Sequence, residues 1–389
     1  MAGEWKETVL GDVIELKRGY DLPQQQRRLG RVPLVSSSGV TDYHAVAMVK
    51  GPGVVTGRYG TLGQVFFVSD DFWPLNTTLY VRDFKGNDPR FISYFLRGLD
   101  FLAYSDKAAV PGLNRNHLHQ ARVRLPSDVS EQRAIAHILS TLDDKIELNR
   151  RMNETLEAMA WTIFKSWFVD FDPVRAKVEG RQPARMDVGT AALFPDAFED
   201  STLGKRPKGW YIGPLGEILE LKRGYDLPQQ RRIFGFIPIY SSSGLTGYHS
   251  ESKVRGPGIV TRRYGTIGEI FFVNEDFWPL NTTLYVRNFK NNLPRFVYYL
   301  LHTLSFEAYL DKAAVPGINR NHVHQEIVLC PPVNLQYKFV ECFEPFWQRQ
   351  AMNNKEARTL TTIRDTLLPK LISGELRVGD AERFLGRTI

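Results

Sequence analysis

Residues 11–120 return as residues 216–325 with 73 identities in 110 positions and no gap. A solenoid repeat runs about 20–50 residues, so self-similarity on this scale means a duplicated domain. Leu16-Lys17-Arg18-Gly19-Tyr20-Asp21-Leu22-Pro23 recurs as Leu221–Pro228, and Asp71–Arg82 recurs unchanged as Asp276–Arg287. Asp106–Gly112 recurs as Asp311–Gly317, and Asn114–His117 as Asn319–His322. The two copies must share one fold. They are also expected to share one class of ligand, because loops meeting different ligands diverge first.

Each copy reads as α+β. Gly53–Thr56, Gln64–Val68 and Thr77–Val81 are rich in β-branched and aromatic residues and predict strands. Pro89–Tyr104 predicts a helix, with Pro89 in its first turn and Phe91, Tyr94, Phe95, Leu99 and Leu102 at helical spacing. Each copy is then followed by a longer helical pattern. From Ser130 to Trp167 there is no Pro or Gly. Leu139, Leu142, Ile146, Asn149, Asn153, Leu156, Ala160, Ile163 and Trp167 alternate spacings of three and four, the seam of a coiled coil whose two Asn fix its register at some cost in stability. At 1.5 Å per residue this helix would be roughly 55 Å long. Pro173 ends the pattern. Phe343, Phe346, Gln350, Asn353, Ala357, Leu360 and Leu367 repeat the design, with Pro369 expected to interrupt the last turns and Gly374 to cap the end.

The sequence therefore predicts a first globular domain over 1–126, a central long helix over 127–169, a linker rich in Pro and Gly over 170–208, a second globular domain over 209–332, and a C-terminal long helix and tail over 333–389. The expected architecture is α+β, with two tandem homologous globular domains. The two long helices would pack as an antiparallel coiled coil with pseudo-twofold symmetry.

The charge pattern bears on the partner. Net charge is +7, but residues 1–126 carry +4 and residues 205–330 carry +6, while residues 127–204 carry −5. Two separated basic domains on a pseudo-twofold frame suit double-stranded DNA, whose dyad symmetry matches paired half-sites. Two cysteines, Cys330 and Cys342, are too few for a disulfide framework or a four-thiolate zinc site. The start of the chain lacks a basic stretch followed by an apolar core, so no signal peptide is expected. Ala158–Phe171 is broken by Lys165 and falls short of the ~20 apolar residues of a spanning helix. Neither a membrane nor export is expected, and the cytoplasm is the expected location.

Arginine bonds guanine bidentately or pairs with phosphate, and asparagine reads adenine. The candidate DNA contacts in Gly- or Pro-flanked segments are Arg18, Tyr20, Arg27, Arg58 and Tyr59, with Arg223, Tyr225, Arg232, Arg263 and Tyr264 in the second copy. Asn114, Arg115, Asn116 and His117, matched by Asn319, Arg320, Asn321 and His322, offer both chemistries. A hydroxyl-rich loop adds Ser36, Ser37, Ser38, Tyr43 and His44, matched by Ser241, Ser242, Ser243, Tyr248 and His249. Phe72–Thr78 is identical in both copies but apolar, and is assigned to packing.

Catalytic readings find little support. His117-x-His119 and His322-x-His324 lack Cys or acidic companions at zinc-site spacing, so no metal is expected. Asp83-Phe84-Lys85 has the Asp-x-Lys look of a nuclease, but the second copy carries Asn288 in place of the aspartate. Cys330-Pro331-Pro332-Val333 lacks both the polar first residue and the aromatic last residue of an amino-methyltransferase motif. No Gly-x-x-x-x-Gly-Lys-Ser/Thr is present, so no ATP hydrolysis is expected.

A set of motifs runs the length of the chain. They are Gly57-Arg58-Tyr59-Gly60-Thr61-Leu62-Gly63; Glu131-Gln132-Arg133-Ala134-Ile135-Ala136 leading into Leu142-Asp143-Asp144-Lys145-Ile146; Trp167-Phe168-Val169-Asp170-Phe171-Asp172-Pro173; Pro207-Lys208-Gly209-Trp210 before Leu215-Gly216-Glu217-Ile218; and Leu367-Leu368-Pro369-Lys370-Leu371-Ile372-Ser373-Gly374-Glu375-Leu376. Their order, together with the duplication, resembles the specificity subunit of type I restriction–modification systems. The resemblance implies a non-catalytic subunit with two target recognition domains. It also implies helices that hold two modification (methyltransferase) subunits, with S-adenosylmethionine and ATP used on partner subunits only and restriction subunits as further partners. The recognition domains of such subunits commonly differ strongly. Here they nearly coincide, which favours a bipartite, near-palindromic target. A stand-alone repressor-like DNA-binding protein, or a duplicated nuclease or methyltransferase, are the alternatives; a partner pull-down and cofactor binding by the pure chain discriminate them.

Overall fold

The computed structural model describes residues 4–60, 62–105, 112–264, 268–309, 317–381 and 383. Thr61 and most of the repeated Asp106–Gly112 and Asp311–Gly317 segments lie outside the described residues. The chain divides into two compact units, residues 1–151 with 352–389, and residues 152–351.

In chain order the first unit contains β1 (Trp5–Val9), α1 (Leu10–Val13), β2 (Glu15–Arg18), β3 (Val32–Ser36), β4 (Gly39–His44), β5 (Gly53–Gly57), β6 (Val65–Val68), β7 (Trp73–Pro74), β8 (Thr78–Asp83), α2 (Pro89–Arg97), α3 (Arg115–His119), β9 (Arg122–Pro126) and the start of α4 (Val129–Phe168). Strands β2-β8-β5-β6 form an antiparallel sheet, β4-β3-β7 a second sheet, and β1 pairs with β9 to tie the two ends of the domain together. Strand β5, central in its sheet, is buried throughout, as the near-continuous apolar run Gly53-Val54-Val55-Thr56 requires.

The second unit begins with the end of α4. It continues through α5 (Asp172–Val178), α6 (Val188–Ala192), β10 (Phe198–Ser201), β11 (Gly204–Pro207), β12 (Tyr211–Pro214), α7 (Leu215–Ile218) and β13 (Glu220–Arg223). There follow β14 (Ile237–Ser241), β15 (Gly244–His249), β16 (Gly258–Arg262), β17 (Ile270–Val273), β18 (Trp278–Pro279), β19 (Thr283–Asn288), α8 (Pro294–His302), α9 (Arg320–Gln325), β20 (Ile327–Cys330) and the start of α10 (Val333–Ser373). Its sheets β13-β19-β16-β17 and β15-β14-β18 repeat the first unit strand for strand.

Antiparallel pairing of α4 with α10 is present in each unit. In the first, Asn149 donates to Glu356 at 2.9 Å and Arg364 to Asp143 at 2.7 Å. In the second, Gln350 donates to the Asn153 carbonyl at 2.9 Å, and Phe339 packs on Phe164 at 5.6 Å between ring centroids. The helices are more than a coiled coil, because each unit uses them as core. Leu139, Leu142, Leu360 and Leu367 join the first domain's core, and Ala160, Phe164, Trp167, Phe343 and Trp347 join the second's. A buried glutamine sets the entry of each long helix. The Gln132 amide accepts from Asp88 N–H at 2.9 Å and donates to Asn87 at 2.7 Å; Gln336 does the same with Leu293 and Asn292 at 3.0 and 2.8 Å.

Three local expectations are corrected. The helix expected over Pro89–Tyr104 ends at Arg97: Gly98 stops it, and the Asp100 carboxylate, accepting from Leu102 N–H at 3.1 Å, starts a separate 3-10 turn over Phe101–Tyr104. A side-chain acceptor of this kind competes with helix continuation. Pro369 does not interrupt α10, because Pro369 and Asp365, whose carbonyl loses its helical donor, are both exposed to water. Gly374, at φ +76°, ends the helix as expected. Residues 170–208 are no free linker. Val174, Ala191 and Phe194 are buried, and Phe194 stands edge-on to Trp167 at 5.3 Å.

Candidate functional site

Two equivalent clefts, one in each unit, gather most of the arginines and asparagines singled out by the repeat. The first, about 350 Å³, is lined by Arg18, Arg58, Tyr59, Leu79, Leu113, Asn114, Arg115 and Asn116. The second, of the same volume, is lined by Lys222, Arg223, Arg263, Leu284, Ile318, Asn319, Arg320 and Asn321. Neither lining contains a carboxylate. Among the described residues none of these arginines has a carboxylate partner, so each cleft presents three uncompensated guanidinium groups.

The cleft is built from three separate parts of the chain. Arg18 closes β2. Arg58 follows β5, with its N–H donating to the Thr77 carbonyl at 2.9 Å and its carbonyl accepting from Leu113 N–H at 3.0 Å. Its guanidinium stacks on Tyr59 at 4.5 Å, and Arg263 stacks on Tyr264 at 4.7 Å. Tyr59 in turn lies on Gly112, where any side chain would begin 2.5 Å from the ring; the Tyr264–Gly317 pair is the same. Asn114 caps α3 by accepting from Asn116 N–H at 3.0 Å, as Asn319 caps α9 from Asn321 at 3.0 Å. The caps spend one side-chain oxygen and leave the amide –NH₂ for a ligand.

Helix α3 is fastened from below. The His119 ring nitrogen Nε2 accepts from Leu16 N–H at 3.0 Å, and His324 accepts from Leu221 N–H at 2.8 Å. This work falls to the second histidine of each His-x-His pair. Burial, helped by Arg115, holds the His119 imidazole below its ordinary value; burial and Arg320 do the same to His324, with Glu15 and Glu220 opposing. Only the neutral ring accepts these bonds. The unfolded chain takes up protons near pH 6.5 that the folded chain refuses until lower pH. Stability should therefore fall as pH drops below about 6.5, and His119→Gln with His324→Gln should reduce that slope. Melting temperatures between about pH 7.5 and 5 test this, and parallel slopes for wild type and the double variant would contradict it.

Other sequence candidates are occupied elsewhere. His44 and His249 are buried, at 3% and 4% exposure, and accept the N–H of Arg28 and Ile233 through Nδ1 at 2.9 and 3.0 Å. They position a loop rather than face a ligand. Tyr20 and Tyr225 are half-buried, with hydroxyls bonded to Tyr80 and Tyr285 at 2.9 Å. Ser36 and Ser38 bond each other at 2.9 Å, as do Ser241 and Ser243, closing the hairpin turns. Ser37 borders the Arg58 loop, 3.5 Å from where a side chain on Gly60 would start, and Ser242 is half-buried beside Thr282. Tyr43 and Tyr248 stay exposed on β4 and β15, and His117 and His322 stay exposed outside the cleft linings. Arg27 is paired with Asp42 at 3.0 Å. Sequence reasoning missed Lys222, which lines the second cleft, although its place beside Arg223 in the repeated Leu-Lys-Arg-Gly segment marked it.

A larger cleft of about 1080 Å³ in the first unit carries Arg90 and Arg97, but these pair with Asp144 and Asp143 at 3.1 Å each. Its lining also holds the carboxylates of Asp70, Asp71 and Asp143, so it is a weaker anion site than the smaller clefts, whose linings have none. The described residues contain no group of three or more His, Cys, Asp or Glu able to hold a metal. No described helix is long and apolar enough to cross a membrane.

Duplicated cation-lined clefts on duplicated domains suit a ligand with regularly spaced negative charge. The family model described as the type I restriction modification DNA specificity domain matches residues 2–158 and again 207–362. The MjaIX type I restriction enzyme specificity subunit of Methanocaldococcus jannaschii is 28% identical over 360 residues, covering 85% of this chain and 78% of that protein. The HindI specificity subunit of Haemophilus influenzae is 25% identical over 389 residues, covering 81% and 84%. Among solved structures, the type I restriction–modification S subunit from M. genitalium aligns over 95% of this chain and 96% of its own, with a TM-score of 0.59 at 18% identity, a likeness of fold.

Proposed function

The chain belongs to the type I restriction modification DNA specificity family, and from that premise we propose that it reads a bipartite, near-palindromic site through its two arginine-lined clefts. As a specificity subunit it recognises DNA within a type I restriction–modification complex and is not itself an enzyme. The observation that carries the reading of the site is the same uncompensated cluster at the same place in both domains: Arg18, Arg58 and Arg115 against Arg223, Arg263 and Arg320.

Near-identical side chains on matching folds would read closely related base patterns, as two inverted half-sites. The spacer between them would be set by the helices rather than by loop contacts. Two modification subunits would be held along α4 and α10, and restriction subunits would join that assembly in the cytoplasm. S-adenosylmethionine and ATP would bind those partners and not this chain. Methylome sequencing of cells expressing the chain with its modification partner tests the target: two related, inverted half-sites around unspecified bases are expected. Two unrelated half-sites, or one continuous motif, would refute it. Calorimetric titration of the purified chain should show no S-adenosylmethionine binding; tight binding would favour the enzyme alternative instead.

A further inference from the structure

The differences between the two domains beside their candidate DNA loops include Gln26/Arg231, Arg28/Ile233, Asp42/Gly247 and Gly57/Arg262. Two of these differences have opposite outcomes in the structure. Arg262 adds a guanidinium to the second domain, but Gln64 of the first domain is replaced there by Glu269, and Arg262 is ion-paired with Glu269. The added charge is absorbed where it arises.

At Asp42/Gly247 a charge is released. In the first domain the Arg27 Nη1 meets Asp42 Oδ2 at 3.0 Å, while Asp42 Oδ1 accepts from Tyr43 N–H at 2.8 Å. The carboxylate is therefore fixed on its own strand and holds the arginine. In the second domain Arg232 reaches the same spot, its Nη1 lying 3.8 Å from where a side chain on Gly247 would begin. No carboxylate is there, and Arg232 has no acidic partner among the described residues; the Nε of both arginines is buried without an acceptor, so the two differ at Nη1, which Asp42 holds in the first domain only. Both arginines start from the same backbone anchor, because His44 and His249 hold the next residue's N–H in each loop. The residues that follow also differ: Ile233, Phe234 and Phe236 are 62%, 88% and 83% exposed in the second domain, where the first carries Arg28, Leu29 and Arg31.

We propose that Arg232 makes a DNA contact in the second half-site that has no counterpart in the first, because Asp42 holds Arg27 whereas Gly247 leaves Arg232 free. This deepens the recognition reading and rests on it. For Arg27 to take a phosphate or a guanine, its pair with Asp42 must first break, and the carboxylate left behind would repel the incoming phosphate. Arg232 meets neither obstacle. The target is then a palindrome with one built-in asymmetry.

The test selects bound duplexes from a randomised DNA pool, using the full chain with its modification partners. Arg263→Ala marks which half-site belongs to the second domain. Arg232→Gln should weaken binding about tenfold, either relaxing one position of the second half-site or lowering the salt slope by about 1. Asp42→Gly should free Arg27 and strengthen binding several-fold through the first half-site. Asp42 is exposed and Arg232 half-buried, and unchanged melting temperatures confirm the folding of both variants. An unaltered second half-site and salt slope with Arg232→Gln, or an unaltered first half-site and affinity with Asp42→Gly, would overturn the proposal. A wild-type complex that selects no sequence at all would instead defeat the recognition reading beneath it.

Discussion

Alanine at Arg18, Arg58 and Arg115 together should lower affinity for duplex DNA by roughly two to three orders of magnitude at low salt. Each phosphate contact contributes about 0.9 to the slope of log affinity against log salt, so the triple variant should flatten that slope by about 2.7 if all three face phosphates. If one of them reads a base, the slope should fall by less, and one half-site position should lose about 1–3 kcal/mol of discrimination. The effect should be large because the cleft lining contains no carboxylate to share the charge. The equivalent triple in the second domain, Arg223, Arg263 and Arg320, should give a loss of similar size. Fluorescence anisotropy with the full chain, at several salt concentrations, measures both affinity and slope. Binding that keeps its wild-type affinity and salt dependence in both triples would remove the clefts from the interface.

Phe164→Ala should destabilise the second unit by about 3–5 kcal/mol, the usual cost of emptying a buried phenylalanine site. Phe164 is 1% exposed and sits among Phe168, Phe296, Tyr299 and Phe339, with ring centroids 5.1–5.7 Å away. So many rigid rings cannot collapse into the space. Its neighbours all belong to residues 152–351, and the first unit's core contains none of them. At about 2–4 °C per kcal/mol for a unit of this size, the second unit's melting temperature should drop by roughly 10 °C. Hydrogen exchange should show lost protection over 152–351, with residues 1–151 and 352–389 largely retaining theirs. Equal loss in both units would mean that they fold as one cooperative body.

Much of the architecture is readable from residue order. The duplication follows from identity at a constant offset. The strands at Val54, Phe66 and Tyr80 follow from runs of β-branched and aromatic residues, and the long helix after Ser130 from apolar residues spaced three and four apart, signals that operate within one element. Errors fall where a local signal is outweighed by its surroundings. Pro369 reads as a break, yet on an exposed helix face its lost hydrogen bond is replaced by water. Residues 170–208 read as a linker from their composition, yet Val174 and Phe194 find apolar surface to bury.

The candidate site divides along the same line. That Arg58, Asn114 and Arg115 matter to some shared task follows from their exact repetition at Arg263, Asn319 and Arg320. Repetition cannot separate residues kept for a ligand from residues kept for packing, and so it marks His44, Tyr20, Ser36 and Ser38 alongside them. Which side chains remain free depends on contacts made across the fold. His44 is committed by a backbone N–H sixteen residues away in the chain. Arg27 is committed by Asp42 across a hairpin, fifteen residues away, and Arg232 is released by the glycine that stands there in the other copy. Periodicity and repetition are properties of neighbours along the chain and can be read in one dimension. The availability of a charge is settled by whatever strand pairing brings beside it, and that partner exists only once the chain has folded.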